Sequence, residues 1–271
     1  MQYELKAKRS LMWGDNMRFT LNTPISSVPT NGWPLLLFLH GFNSGDDESY
    51  EQWLEENWNA HIRRVPALRR CIVATPICPQ KRWWVPESVV ALTNEISGTR
   101  ELQVDSTRLY IMGYSMGAYC TWSILSQYPS LFAAAVPISG GGRPNGRTAA
   151  VFCGACACTF PLSLPLFVAN ACHDTRSDFT AGDLQAVTTF VWGFHGKNDT
   201  VVPFEETVRN LEMLPRHVAR LTLYDGLTHD TTFSTVVLNI NIYNWMLSKK
   251  RATVANQRMS GTRDTRRSLY I

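Results

Sequence analysis

Six short, nearly continuous apolar runs constrain this chain most: Leu35–His40, Cys71–Thr75, Leu109–Met112, Ala133–Ile138, Thr189–Phe194 and Leu221–Tyr224. Each gives way to Gly, Pro or polar residues. Runs of this kind, without polar alternation, are how strands buried on both faces of a mostly parallel sheet read. Between them lie helix candidates, from Pro86 to about Ile96, Met116 to about Gln127, Phe204 to Leu214, and about Phe233 to Leu247. The last places Val236, Val237, Ile240, Tyr243, Asn244 and Leu247 at helical spacing, a face that should pack on the sheet. Strand–helix alternation over this length predicts a single α/β domain spanning residues 1–248, with helices on both faces of the sheet.

Two segments break the rhythm. After Ser139-Gly140-Gly141-Gly142 no strand signal returns until Thr189. Residues 143–188 are therefore read as an atypical insertion, either a lid or a disordered stretch. Residues 249–271 carry seven Lys/Arg against the single acid Asp264, which leaves the rest of a +4 chain at −2. A near-neutral body with a basic, aperiodic tail predicts a disordered end and no nucleic-acid partner. No run reaches membrane-spanning length, and the first residues lack the apolar core of a secretory signal. The seven cysteines are scattered and odd in number, so reduced thiols and a cytoplasmic setting are expected. Cys153, Cys156, Cys158 and Cys172 suggest zinc, but only one pair has two-residue spacing. Neither metal nor cofactor is expected.

Gly113-Tyr114-Ser115-Met116-Gly117 joins the strand-like Leu109–Met112 to a helix candidate. By itself such a pentapeptide arises by chance in roughly one chain in ten of this length. In this context it fits a nucleophile elbow, a sharp strand-to-helix turn that exposes the serine hydroxyl. A serine hydroxyl needs a neutral imidazole to take its proton and a carboxylate to orient that imidazole. Asp199 follows the strand-like Thr189–Phe194, and His229 follows Leu221–Tyr224. Both fall at carboxyl ends of strands, where parallel sheets build sites. The order Ser115, Asp199, His229 is that of an α/β-hydrolase fold. The backbone amide of Met116, and that of Phe42 after the apolar run into His40-Gly41, are the candidate oxyanion donors. His40 is expected to brace its loop and His195 to shape the Asp199 loop. Read singly, Ser115 fits a helix N-cap, Asp199 a turn residue and His229 a structural histidine. Their joint order and placement favour the catalytic reading.

Several motifs together resemble one group of proteins. They are Leu39-His40-Gly41, Cys78-Pro79-Gln80 with Trp83-Trp84, Val104 to Tyr110, Gly113–Gly117, Tyr128 to Gly142, Trp192 to Gly196 with Asp199 and Val202-Pro203, and Thr228-His229-Asp230. The chain resembles α/β-hydrolase carboxylesterases of the polyhydroxybutyrate-depolymerase and feruloyl-esterase-like branch, related to the phospholipase/carboxylesterase group. The resemblance spans about residues 15–142 and 189–247; residues 143–188 and the tail have no counterpart. It implies an eight-stranded, largely parallel sheet and hydrolysis of a small-molecule carboxylic ester without metal or cofactor. Ser115, Asp199 and His229 fall on that group's triad positions. Trp83 and Trp84 are candidates to line the substrate pocket. An acyl-thioesterase or serine peptidase with the same triad is the alternative, and a catalytically impaired binding protein is the alternative of another class.

Overall fold

A computed structural model describes residues 2–3, 17–42, 47–78, 82–142 and 181–251. The strands are β1 (Gln2–Tyr3), β2 (Phe19–Asn22), β3 (Trp33–Leu39), β4 (Ile72–Pro76), β5 (Val104–Tyr114), β6 (Ala134–Ile138), β7 (Phe190–Gly196) and β8 (Ala219–Tyr224). Among the described residues they form one eight-stranded sheet in the order β1-β2-β4-β3-β5-β6-β7-β8. β2 pairs antiparallel with both β1 and β4; the pairings from β4 through β3 to β8 are parallel. The antiparallel edge had no sequence signal of its own.

Pleating explains why β3 reads as an unbroken apolar run. Leu35, Leu37 and Leu39 enter one core cluster, while Leu36 and Phe38 enter the other, on the opposite face. The first cluster is covered by α3 (Pro86–Gly98) and α4 (Met116–Gln127). Every residue of α4 from Met116 to Leu125 is buried, as befits a helix whose sequence is apolar nearly all round. On the other face, α1 (Asp47–Leu54) runs through a π turn at Glu55–Asn59 into α2 (Ala60–Arg64). Trp58 and Ile62 from this segment pack on Phe38 and its neighbours.

The segment expected as one helix to Leu247 is two. Numbering the remaining helices in order gives α5 (Ala181–Gln185), α6 (Phe204–Met213), α7 (His229–Leu238) and α8 (Ile240–Leu247). Asn239, in extended conformation between the last two, caps α8 by accepting the Asn241 amide at 3.1 Å. The break re-aims the second half, so α8 buries Ile242, Tyr243 and Met246, while Ile240 and Asn244 face solvent.

A few residues on the near side of each atypical segment make contacts with the sheet domain. Leu184 of α5 and Val187 are buried in the first core cluster, so residues 181–188 belong to the domain body. Residues 143–180, including Cys153, Cys156, Cys158 and Cys172, lie outside the described residues. The domain also continues past residue 248. Arg251 donates from its backbone to the Thr107 carbonyl at 2.9 Å and from its guanidinium to the carbonyls of Ser106 and Leu131. Residues 252–271 lie outside the described residues. Among the described residues no helix is long and apolar enough to cross a membrane.

Candidate active site

The carboxyl edge of the sheet gathers the predicted residues. Ser115 follows β5 directly, at φ 52° and ψ −116°, a strained conformation for a residue with a Cβ, costing about 1–3 kcal/mol. Its neighbours hold it there. The Ser115 amide donates to the Ile138 carbonyl at 2.9 Å, and its carbonyl accepts the amides of Ala118 and Tyr119. The flanking glycines permit the close approach: a Cβ on Gly117 would run into the Leu39 carbonyl, and one on Gly113 into the Gly117 carbonyl and Thr121. Ser115 occupies the N-cap position of α4 but makes no side-chain cap bond. Instead its Oγ lies 2.9 Å from His229 Nε2.

Asp199 follows β7 in a loop tied to the one before α7, since the Asn198 amide donates to the Leu227 carbonyl at 3.1 Å. Its carboxylate is buried and receives a donor at each lone-pair position. Oδ1 accepts the amides of Val201 at 2.9 Å and Val202 at 2.8 Å. Oδ2 faces His229 Nδ1 at 2.7 Å and His195 Nε2 at 3.0 Å. Burial alone would raise the pKa of this carboxyl. Hydrogen bonds from His195, His229 and Val202 outweigh burial and hold it well below the usual carboxylate range. The carboxylate faces Nδ1, which therefore carries the hydrogen and leaves Nε2 to accept from Ser115. His229 opens α7, where Thr228 and Thr231 form a reciprocal cap.

The turn after β3 lies beside the elbow, where a Cβ on Gly41 would sit 3.4 Å from Ser115 Cβ. His40 braces it. Its buried ring donates from Nδ1 to the Gly41 carbonyl at 2.6 Å and accepts the Cys78 amide on Nε2 at 3.0 Å. Phe42 follows Gly41 in this loop, and the amide of Met116, first in α4, has no partner inside the helix. Trp84 departs from its expected pocket role. It is 2% exposed, lies in the core, and donates from Nε1 to the His40 carbonyl at 3.0 Å, so it holds the loop from behind. Trp83 is half-buried and meets Tyr119, one turn into α4, with ring centroids 6.1 Å apart.

Sequence reasoning passed over one neighbour. Tyr114, the variable position before Ser115, packs on His229 at 5.0 Å and stacks on Phe233 at 4.5 Å. Its hydroxyl donates to Asp230 at 2.6 Å. The aromatic side chain beside Ser115 was the available signal; its partner on α7 had none.

Comparison with known proteins agrees with this architecture. A family profile described as the prolyl oligopeptidase family matches residues 89–141, a stretch that holds Ser115 but neither Asp199 nor His229. Among solved structures, a thermostable esterase superposes with TM-score 0.66 at 22% identity, the match covering 93% of this chain and 63% of the esterase. Est1E from Butyrivibrio proteoclasticus superposes with TM-score 0.61 at 15% identity, covering 89% of this chain and 97% of Est1E. The chain has the α/β-hydrolase fold. A further hydrolase-fold neighbour is a putative dipeptidyl aminopeptidase IV from Bacteroides ovatus, with TM-score 0.61, 13% identity, and coverage of 91% of this chain and 35% of the peptidase. A comparison with curated proteins returns no match.

Proposed function

We propose that this chain is a serine hydrolase that cleaves carboxylic esters of small molecules through an acyl-enzyme. The observation that carries the reading is the unbroken path from Ser115 Oγ through His229 to Asp199, at 2.9 Å and 2.7 Å, on a strained elbow. His229 Nε2 takes the Ser115 proton as Oγ attacks the ester carbonyl. The amides of Met116 and Phe42 receive the negative charge that develops on the carbonyl oxygen. His229 then gives its proton to the leaving alcohol. It next takes one from water as the water oxygen attacks the acyl group, and gives that proton to Ser115 Oγ as the carboxylic acid leaves. Asp199 stays ionised throughout and holds His229 in the required tautomer.

Ester rather than amide substrates are favoured by the motif resemblance and by the esterases among the structural neighbours. Peptide hydrolysis is the second reading, favoured by the prolyl oligopeptidase profile over the elbow segment. The test is turnover of p-nitrophenyl esters and labelling by a fluorophosphonate, with Ser115→Ala as the control. Both signals are expected in the native chain and absent in the variant. Labelling or turnover that persists in Ser115→Ala overturns the assignment. Faster turnover of peptide p-nitroanilides than of esters replaces the first reading with the second.

A further inference from the structure

Tyr114 is the last residue of β5, and its backbone leads directly into Ser115. Its ring meets the His229 imidazole with centroids 5.0 Å apart and planes 40° apart. The same ring lies against Gly41 in the turn after β3, where a Cβ would fall 3.1 Å from Tyr114 Cδ1 and 3.2 Å from Cε1. Its hydroxyl donates at 2.6 Å to Asp230, the residue after His229 in the first turn of α7. One side chain thus joins the nucleophile strand, the oxyanion turn and the helix that carries the base.

The ring is also backed. Phe233, one turn after His229 on α7, stacks on Tyr114 at 4.5 Å with planes 29° apart. Phe233 stacks in turn on Phe38 of β3 at 5.9 Å, and Phe38 on Trp58 at 4.0 Å. Trp58 is fully buried and donates from Nε1 to Thr75 Oγ1 on β4 at 3.0 Å. The half-buried phenol is therefore tied through a series of packed rings to the core beneath the site.

The base needs such a contact. Two hydrogen bonds hold the His229 ring, Nδ1 to Asp199 and Nε2 to Ser115. Turning the ring about the line through its two nitrogens changes neither distance, so only a contact off that line can stop the turn. The need grows during the reaction. Once Ser115 Oγ is acylated it has no hydrogen to offer, and His229 keeps Asp199 and its ring neighbours while it awaits water.

We propose that Tyr114 is a positioning residue: its ring, backed by Phe233, holds the His229 imidazole in place while Ser115 is acylated, and so sets the rate of deacylation. The proposal rests on the reading of Ser115, His229 and Asp199 as the catalytic set. The ring carries the role, and the hydroxyl bond to Asp230 steadies it. Phe233 acts only through Tyr114.

The experiment is stopped-flow turnover of a p-nitrophenyl ester by folded variants, with rates expressed per site titrated by fluorophosphonate. In Tyr114→Leu, kcat should fall by about 100-fold, the cost of a misplaced base. KM should not rise, and the acyl-enzyme should accumulate as a burst of p-nitrophenol ahead of slow turnover. Tyr114→Phe keeps the ring and should stay within about tenfold of the native kcat. Phe233→Leu should slow deacylation in the same way but less, and should add nothing to Tyr114→Leu in the double variant. This second variant also carries the test if Tyr114→Leu fails to fold. A kcat within about threefold of native in Tyr114→Leu, or in Phe233→Leu where that variant stands in, overturns the proposal. So does a loss carried by a higher KM, which would make the ring a pocket wall. Equal losses in Tyr114→Phe and Tyr114→Leu, or additive losses in the double variant, overturn it as well. Absence of labelling in the native chain overturns the enzyme reading and this proposal with it, whereas labelling with native turnover in Tyr114→Leu overturns this proposal alone.

Discussion

β5 carries a buried polar cluster at each end. At its amino end, Asp105 accepts the Thr107 amide at 2.9 Å and hydroxyl at 2.7 Å on Oδ1, and Arg108 at 2.7 Å on Oδ2. Arg108 also reaches the Gly32 carbonyl at 2.8 Å. At its carboxyl end, β5 runs into Ser115, which meets Asp199 through His229. Burial pushes the pKa of both carboxyls up, and hydrogen bonds bring both below their ordinary value, from Thr107 and Arg108 in one case and from His195, His229 and Val202 in the other. A depressed pKa therefore does not distinguish a site from a brace. What differs is the donors. Around Asp105 they are an amide, a hydroxyl and a guanidinium, none of which gives up a proton near neutrality. Around Asp199 two of them are imidazoles, and one presents a free nitrogen to a hydroxyl. Only that end can move a proton.

Substitution should separate the two ends, beginning with the largest effect. Asp199→Asn should lower kcat on a p-nitrophenyl ester by about 10⁴-fold, because the amide no longer fixes the His229 tautomer. A loss below tenfold would erase the distinction drawn here. Asp105→Asn should leave kcat and KM unchanged but reduce stability in urea by about 2–3 kcal/mol, since it strips a partly buried guanidinium of its partner. A folded Asp105→Asn variant with impaired kcat would break the comparison from the other side.

The same variant carries a pH signature. Each depressed carboxyl contributes stability that is complete above its unfolded value, near pH 4, and is lost as pH falls through its lower folded value. In that window the unfolded chain binds more protons, so native stability should fall as acid is added. Asp105→Asn should flatten this slope; an unchanged slope in urea titrations between about pH 2 and pH 6 would count against its assigned role. The smallest effect is expected at Tyr114→Phe. It removes the hydroxyl bond to Asp230 but keeps the ring on His229, and should cost only about threefold to tenfold in kcat. An effect approaching that of Asp199→Asn would make the phenol part of the chemistry.

Much of this was legible in the residues. Leu35–Leu39 reads as a strand because both faces of the pleat are apolar, and the Gly spacing around Ser115 reads as an elbow because a Cβ at either position collides with backbone. Asp199 and His229 were found by chain order. Other features were not readable. The break at Asn239 escaped because its flanking residues keep helical spacing across it, and the re-aimed face appears only when α8 meets the sheet. Trp84 looked like a pocket residue because an indole serves a pocket wall and a core equally well. Its bond to the His40 carbonyl depends on a residue 44 positions away.

The sequence by itself determined the parallel strands from β3 to β8 in their order, the elbow turn and the candidate nucleophile, acid and base, since each follows from local sterics or from residue chemistry carried along the chain. Only the tertiary structure decided which side chains share Asp199. His195, Thr207 and Gly140 are brought to it by three separate elements. A hydrogen-bond path through them exists only after β6, β7 and α6 have packed, because its geometry is set by contacts between segments and not by any one of them.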